Sequence, residues 1–141
     1  MPKLRPTVLV VDDEEDLREL VAAALESAGC SILTAANGDA AVRILEGILR
    51  IDLVLSDVVM PGTLNGFALA ARARQLWPGI RIVLTSGWIS PDVAGEMSNG
   101  FYRFLPKPWR LNELLNAVAE EFAKKPLPGG TSRGISRSAA P

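Results

Sequence analysis

The 141-residue sequence predicts an α/β fold, a doubly wound five-stranded parallel sheet with five helices on both faces. Three observations carry that reading. Short apolar runs rich in β-branched residues lack polar alternation, as strands buried on both faces do. Segments with helical spacing alternate with these runs along the chain. The connections between them are short, which implies right-handed crossovers and a covered parallel sheet.

Taken in order, Thr7 to Val11 is the first apolar run and predicts the first strand. Glu14 to Ala28 follows with Leu17, Leu20, Val21, Ala24 and Leu25 on one helical face, and Gly29 stands where a helix C′ residue belongs. Ser31 to Ala35 is a weaker strand candidate, and Asp39 to Leu49 is the second helix. Leu53 to Leu55 predicts the third strand and Gly66 to Trp77 the third helix, stopped by Trp77-Pro78-Gly79. Ile80 to Leu84 is the fourth strand. A poorer helical segment near Pro91 to Ser98, a weak strand at Phe101 to Leu105 and a helix from Leu111 to Lys124 complete the alternation. For five such strands the common arrangement is the flavodoxin-like order 2-1-3-4-5, with its ligand crevice at the carboxyl ends of strands one and three.

Composition limits the chemistry. With no histidine, the chain cannot be a Ser-His-Asp or Cys-His hydrolase, a His-ligated metalloenzyme or a phosphohistidine carrier. Its single cysteine, Cys30, allows neither an internal disulfide nor a thiolate zinc site. The formal charge is −1, yet residues 123–141 hold Lys124, Lys125, Arg133 and Arg137 and no acid, so the remainder carries a net of −5. An acidic body with a short basic tail gives no expectation of nucleic-acid or membrane binding. No stretch has the apolar length of a signal peptide core or a membrane span, so the expected location is the cytoplasm. Residues 1–125 read as one domain. Residues 126–141, rich in Gly, Pro and Ser, read as a disordered basic tail.

The residues just past each predicted strand converge on one rim. These are Asp12 and Asp13 after the first, Asp57 after the third, Thr85 and Ser86 after the fourth and Lys107 after the fifth. Singly, each has an ordinary structural explanation: Asp13 as a helix N-cap, Asp57 as a turn former before Met60-Pro61-Gly62, Thr85 as a loop hydroxyl, Lys107 as a solvated cation. Together, three carboxylates in one crevice repel unless a cation compensates, and a hard divalent ion such as Mg²⁺ plus a lysine supplies that. A carboxylate can then act as nucleophile toward a phosphoryl group, a reaction that needs positioning and charge neutralisation more than acid-base catalysis. Asp57, closing the central strand, is the best candidate.

Val-Leu-Val-Val-Asp12-Asp13-Glu14, Asp52-Leu-Val-Leu-Ser-Asp57-Val-Val-Met60-Pro61-Gly62, Leu84-Thr85-Ser86-Gly87 and Phe104-Leu-Pro-Lys107-Pro108 resemble the receiver domain of bacterial two-component response regulators, over about residues 6–122. The resemblance implies a phosphorylation-switched signalling module in which Asp57 accepts a phosphoryl group from a histidine kinase or a histidine phosphotransfer protein. It implies Mg²⁺ held by Asp12, Asp13, the Asp57 carboxylate and the backbone carbonyl of Val59, with Lys107 on the phosphoryl oxygens. Thr85 matches the switch hydroxyl and Phe104 the switch aromatic. The surface of the fourth helix, fifth strand and fifth helix would then bind a downstream protein partner. A cis Lys107-Pro108 bond is also implied. Such a chain is no enzyme beyond catalysing phosphoryl transfer to, and hydrolysis from, its own aspartate.

The same residues would stand in a receiver cut from a hybrid histidine kinase or a multidomain regulator, or in a receiver-like docking module that is never phosphorylated. Met1 and the tail favour a stand-alone protein, and no segment reads as a DNA-recognition helix. A haloacid-dehalogenase-like phosphatase would need a second Asp where Val59 stands, and a flavin carrier would need a hydroxyl-rich loop where Asp12 to Asp16 stand. Relative to the receiver pattern the loop Thr63-Leu64-Asn65 before Gly66 is one residue longer, read as a neutral insertion. Trp88 and Trp109 flank the switch hydroxyl and the lysine, a placement suited to packing or partner contact. Asp92 and Glu96 read as solvated surface. Val59 and Gly87 occupy the positions that tune phosphoryl hydrolysis in the family, and neither can hold a water through its side chain. Loss of phosphate is therefore expected not to be especially fast. A phosphorylated lifetime of only seconds, measured by intact mass after removal of the donor, would contradict this.

Overall fold

The computed structural model describes residues 5–87 and 102–124. Its elements are β1 (Thr7–Val11), α1 (Glu15–Ser27), β2 (Ser31–Ala35), α2 (Gly38–Leu45), β3 (Leu53–Asp57), α3 (Gly66–Leu76), β4 (Arg81–Ser86), β5 (Arg103–Pro106) and α4 (Leu111–Ala123). Here α4 is the helix expected fifth in sequence. The helix expected near Pro91 to Ser98, with Trp88, Asp92 and Glu96, lies outside the described residues, as do residues 126–141.

The five strands pair in parallel in the order β2-β1-β3-β4-β5, as the sequence predicts. Because successive strand residues point to opposite faces, the apolar runs split between two cores. Val8, Val10, Leu53, Leu55 and Val83 face α1 and α4 and pack with Val21, Leu25, Leu114 and Val118. Leu9, Val11, Val54, Ile82 and Leu84 face α2 and α3 and pack with Leu45, Leu69, Ala73 and Trp77. Runs without polar alternation are what this two-sided burial demands.

The helix ends follow local chemistry. Asn37 and Asn65 cap α2 and α3, their side chains accepting from the N–H groups of Ala40 and Ala68 at 2.8 Å. Glu113 accepts from the Arg110 N–H at 2.6 Å and closes the start of α4. Gly29 ends α1 at φ +106, the left-handed geometry glycine tolerates. Helix α2 stops at Leu45, four residues before the expected Leu49. Gly47 breaks the segment, and Ile48 and Leu49, whose spacing suggested a continuing helix, are 98% and 58% exposed in the loop to β3.

Strands β3 and β4 run past their apolar cores, through Ser56 and Asp57 and through Thr85 and Ser86. All four polar residues are buried, so an apolar-run criterion ends these strands too early. The chain leaves β3 under a tight steric condition. The Val58 carbonyl accepts from the Gly66 N–H at 2.7 Å, and a Cβ on Gly66 would overlap the Asp57 carbonyl oxygen and lie 2.8 Å from the Val58 Cα. Helix α3 thus starts directly against the end of β3. Gly66→Ala is expected to lower stability by about 1–3 kcal/mol, the cost of overpacking a closed site, read as a lower urea midpoint at unchanged slope.

Candidate functional site

The carboxyl ends of β1, β3, β4 and β5 bring the predicted rim residues together. Asp57, the last residue of β3, pairs in register with Thr85 on β4, so their side chains emerge side by side. The Thr85 hydroxyl donates to Asp57 Oδ1 at 2.6 Å. Lys107, just beyond β5, is brought in by its own N–H donating to the Ser86 carbonyl at 2.8 Å. Its Nζ lies 2.9 Å from Asp57 Oδ1 and donates to Oδ2 at 3.1 Å. Both oxygens of a carboxylate only 7% exposed are therefore engaged. The Lys107-Pro108 bond is cis, as the resemblance implies.

Asp12 sits at the end of β1, 8% exposed, and Asp13 beside it is exposed. Asp13 does not cap α1. The N-cap is Glu14, which makes no side-chain cap bond, while Asp12 Oδ1 accepts from the Glu14 N–H at 2.9 Å. Burial pushes the Asp12 carboxyl above its usual range. The Glu14 hydrogen bond opposes that shift and the negative charge of Asp57 adds to it. For Lys107, burial pulls the ammonium down, but the hydrogen bond and charge of Asp57, with Asp12 and Glu14, outweigh it and hold it above the ordinary value.

One carboxylate oxygen from each of Asp12, Asp13 and Asp57 can be chosen so that all lie within 4.8 Å of one another. Three carboxylates against one ammonium leave an excess of two negative charges at a partly buried site. That all-oxygen donor set and that charge fit a hard divalent cation of the Mg²⁺ class. Among the described residues this is the acidic group with such spacing.

The remaining expected positions lie around this centre. Val59 is 71% exposed, and Gly87 borders Lys107, a Cβ there meeting the lysine side chain at ordinary contact distance. Phe104 is half-buried against the core under α3, beside Tyr102, whose ring lies 5.8 Å from that of Phe67. Trp109 packs into the other core, its indole nitrogen buried. The longer loop is not loose: Thr63 donates to the Asp39 carboxylate at 3.1 Å, and Leu64 lies over Gly38 at the start of α2.

Three contributors escaped the sequence reading. Ser56, 1% exposed, donates to the Asp57 carbonyl at 2.9 Å, and Arg18 donates to the Asp12 carbonyl at 2.8 Å. Gly66 makes room for the backbone of Asp57. Only the glycine carried a sequence signal, as the residue that closes the loop after Met60-Pro61-Gly62 and opens the third helix.

A family model for the response regulator receiver domain matches residues 8–119. The chain belongs to that family. Receiver domains are signalling modules of two-component systems, switched by phosphorylation. The sensor kinase CckA of Brucella abortus is 36% identical over 121 residues, 84% of this chain and 13% of the kinase. The autoinducer 1 sensor kinase/phosphatase LuxN of Vibrio harveyi is 39% identical over 122 residues, 84% of this chain and 14% of that protein. The chain thus spans about a seventh of these relatives. Among solved structures, the response regulator TrrA of Thermotoga maritima, in complex with Mg²⁺ and BeF, is 30% identical with a TM-score of 0.69, covering 82% of this chain and 97% of that one. None of the helices among the described residues is long and apolar enough to cross a membrane.

Above pH 3.8 the Asp12 carboxyl must ionise against burial and against Asp57, so without metal its own contribution to stability falls as pH rises from that value. Asp12→Asn keeps an oxygen for the Glu14 N–H and removes the charge. Metal-free, it is expected to be more stable than the parent at pH 7, on the order of 1 kcal/mol, and to lack that decline. Urea titrations at pH 5 and pH 7 check both points.

Proposed function

We propose that Asp57 is the phosphoacceptor of a two-component or phosphorelay pathway, taking its phosphoryl group from the phosphohistidine of a histidine kinase or phosphotransfer protein. The observation that carries this is the Asp57 carboxylate itself, held by Thr85 and Lys107 beside Asp12 and Asp13. A carboxylate oxygen of Asp57 bonds to phosphorus as the phosphorus–nitrogen bond breaks, leaving neutral imidazole on the donor and an acyl phosphate on the chain. Lys107 pairs with the phosphoryl oxygens as their charge arrives. Bound Mg²⁺ would supply the remaining charge neutralisation.

Asp12, Asp13 and Asp57 would hold that ion through their carboxylates and Val59 through its backbone carbonyl. The match of this acidic set to a family with a Mg²⁺-containing member supports the choice of metal. The chain provides the nucleophile and the neutralising groups, so it promotes its own modification and its own hydrolysis. Residues 1–125 form the module and 126–141 a tail outside it.

The switch follows from the bonds already present. In the unmodified site Thr85 donates to the Asp57 carboxylate. Once the Asp57 carboxylate is phosphorylated, the hydroxyl moves to a phosphoryl oxygen, and Phe104 turns into the space it leaves. The surface containing β5 and α4 then changes for a downstream protein partner. Two states are redistributed only by such differential bonds. Kinase phosphotransfer occurs in the cytoplasm, and that is the location this reading assigns. The chain spans only a fraction of its sensor-kinase relatives, which keeps a second setting in view, the same module within a hybrid kinase.

Incubation with acetyl phosphate and Mg²⁺ is expected to add one phosphoryl group by intact mass. Asp57→Asn and chelation should abolish the adduct, and Lys107→Ala should slow its formation by at least about tenfold, the usual scale for losing one charge-stabilising group. An unmodified mass with this donor and with a purified histidine kinase would leave a docking module instead.

A further inference from the structure

At the opposite, amino end of the sheet lies a hollow of about 700 Å³ that plays no part in the acceptor site. Its apolar lining comes from Leu25, Leu115, Val118 and Phe122, and its charged groups are three arginines, Arg5, Arg50 and Arg81, with Asp52. Arg5 and Arg81 are each fixed by several hydrogen bonds, and Arg50 stands at the exposed rim on one ion pair. Arg5 donates to the carbonyls of Glu26, Gly29 and Cys30 at the end of α1. Arg81 donates to those of Glu121 and Lys124 at the end of α4, with its guanidinium 6.0 Å from the centre of the Phe122 ring. Arg50 pairs with Asp52 Oδ1 at 3.1 Å, and the other oxygen of that carboxylate already accepts from the Thr7 N–H at 2.8 Å.

The charges do not cancel. Asp52 answers one of the three cations, and the two helix ends answer roughly one more, at about half a charge each. About one positive charge is left over, in a body whose residues 1–122 carry a net of −5. The Nη1 groups of Arg5 and Arg81 and both Nη groups of Arg50 keep donors without a partner among the described residues. A concave apolar site with a few fixed polar groups is the usual form of a small-molecule pocket, and this volume is within the usual range. We propose that the hollow binds a small monoanion with a flat apolar body, an aryl carboxylate, its ring on the apolar lining and its carboxylate among the arginines. The tail is the wrong occupant, since Lys125, Arg133 and Arg137 repeat the charge of the hollow and supply no acid.

The probe is 1-naphthoate, titrated into the ¹⁵N-labelled full chain. Saturable shifts are expected at the amides of Gly29, Cys30, Asp52 and the last turns of α4, unchanged in Asp57→Asn, so the result is independent of the phosphoacceptor reading. 1-Naphthylmethylamine should produce none. Ala119→Trp, at an exposed wall position, fills the hollow, and Arg50→Glu reverses the charge at its rim. Each should weaken naphthoate by at least about tenfold, or 1.4 kcal/mol, while the remaining spectrum stays that of the folded parent. The proposal is overturned if naphthoate and the amine bind alike, if no saturable shift appears at millimolar ligand, or if both variants bind as the parent does. Contacts between Leu127 and the Phe122 ring in the free chain would overturn it too, by making the tail the resident.

Discussion

A carboxylate almost removed from water at the end of the central strand has to be answered by charge, and the rest of the carboxyl-end architecture serves that need. Asp57 meets the Thr85 hydroxyl through the register of β3 and β4, and the Lys107 ammonium through the bond between the Lys107 N–H and the Ser86 carbonyl. Neither partner is near Asp57 in sequence. The parallel sheet brings them together because every strand in it delivers its carboxyl end to the same rim. Breaking a buried pair from one side leaves an uncompensated charge, which costs more than the intact pair contributes.

The same rim is over-supplied with negative charge. Asp12 and Asp13 add two carboxylates to a site with one lysine, and burial makes ionised Asp12 costlier still. In the metal-free molecule this is an unfavourable arrangement held by the packing beneath it, where Val8 to Val11 and Leu53 to Leu55 are sealed between two helical layers. A divalent cation held there would convert that repulsion into binding free energy, which fits the clustering of perturbed carboxylates at functional sites.

The two ends of the sheet have opposite character. The carboxyl end collects acids, whereas the amino end collects Arg5, Arg50 and Arg81 beside the ends of α1 and α4. Strand β4 joins them, with Arg81 as its first residue clamping the end of α4 and Thr85 near its last on Asp57. Helix α4 is tied to the amino end through Arg81 at its last turn, and Leu114 and Val118 seat it in the core shared with α1.

By itself the sequence determined the order of the described elements, the limits of β1 and β2, the strand order and the convergence of Asp12, Asp13, Asp57, Thr85 and Lys107 on one rim, because these depend on local pattern and on strand polarity. It misjudged the ends of β3 and β4, where Ser56, Asp57, Thr85 and Ser86 are polar yet buried, and the end of α2, where Ile48 and Leu49 have helical spacing yet face solvent. Burial of a polar side chain depends on partners distant in the chain, which composition and periodicity do not encode. Only the tertiary structure decided that Asp12 rather than Asp13 bonds the first turn of α1, that Gly66 must lack a side chain beside Asp57, and that Arg5, Arg50 and Arg81 share one hollow. The last two are meetings of segments separated in sequence, brought together by close packing of the folded chain, while the first depends on how the folded backbone turns from β1 into α1.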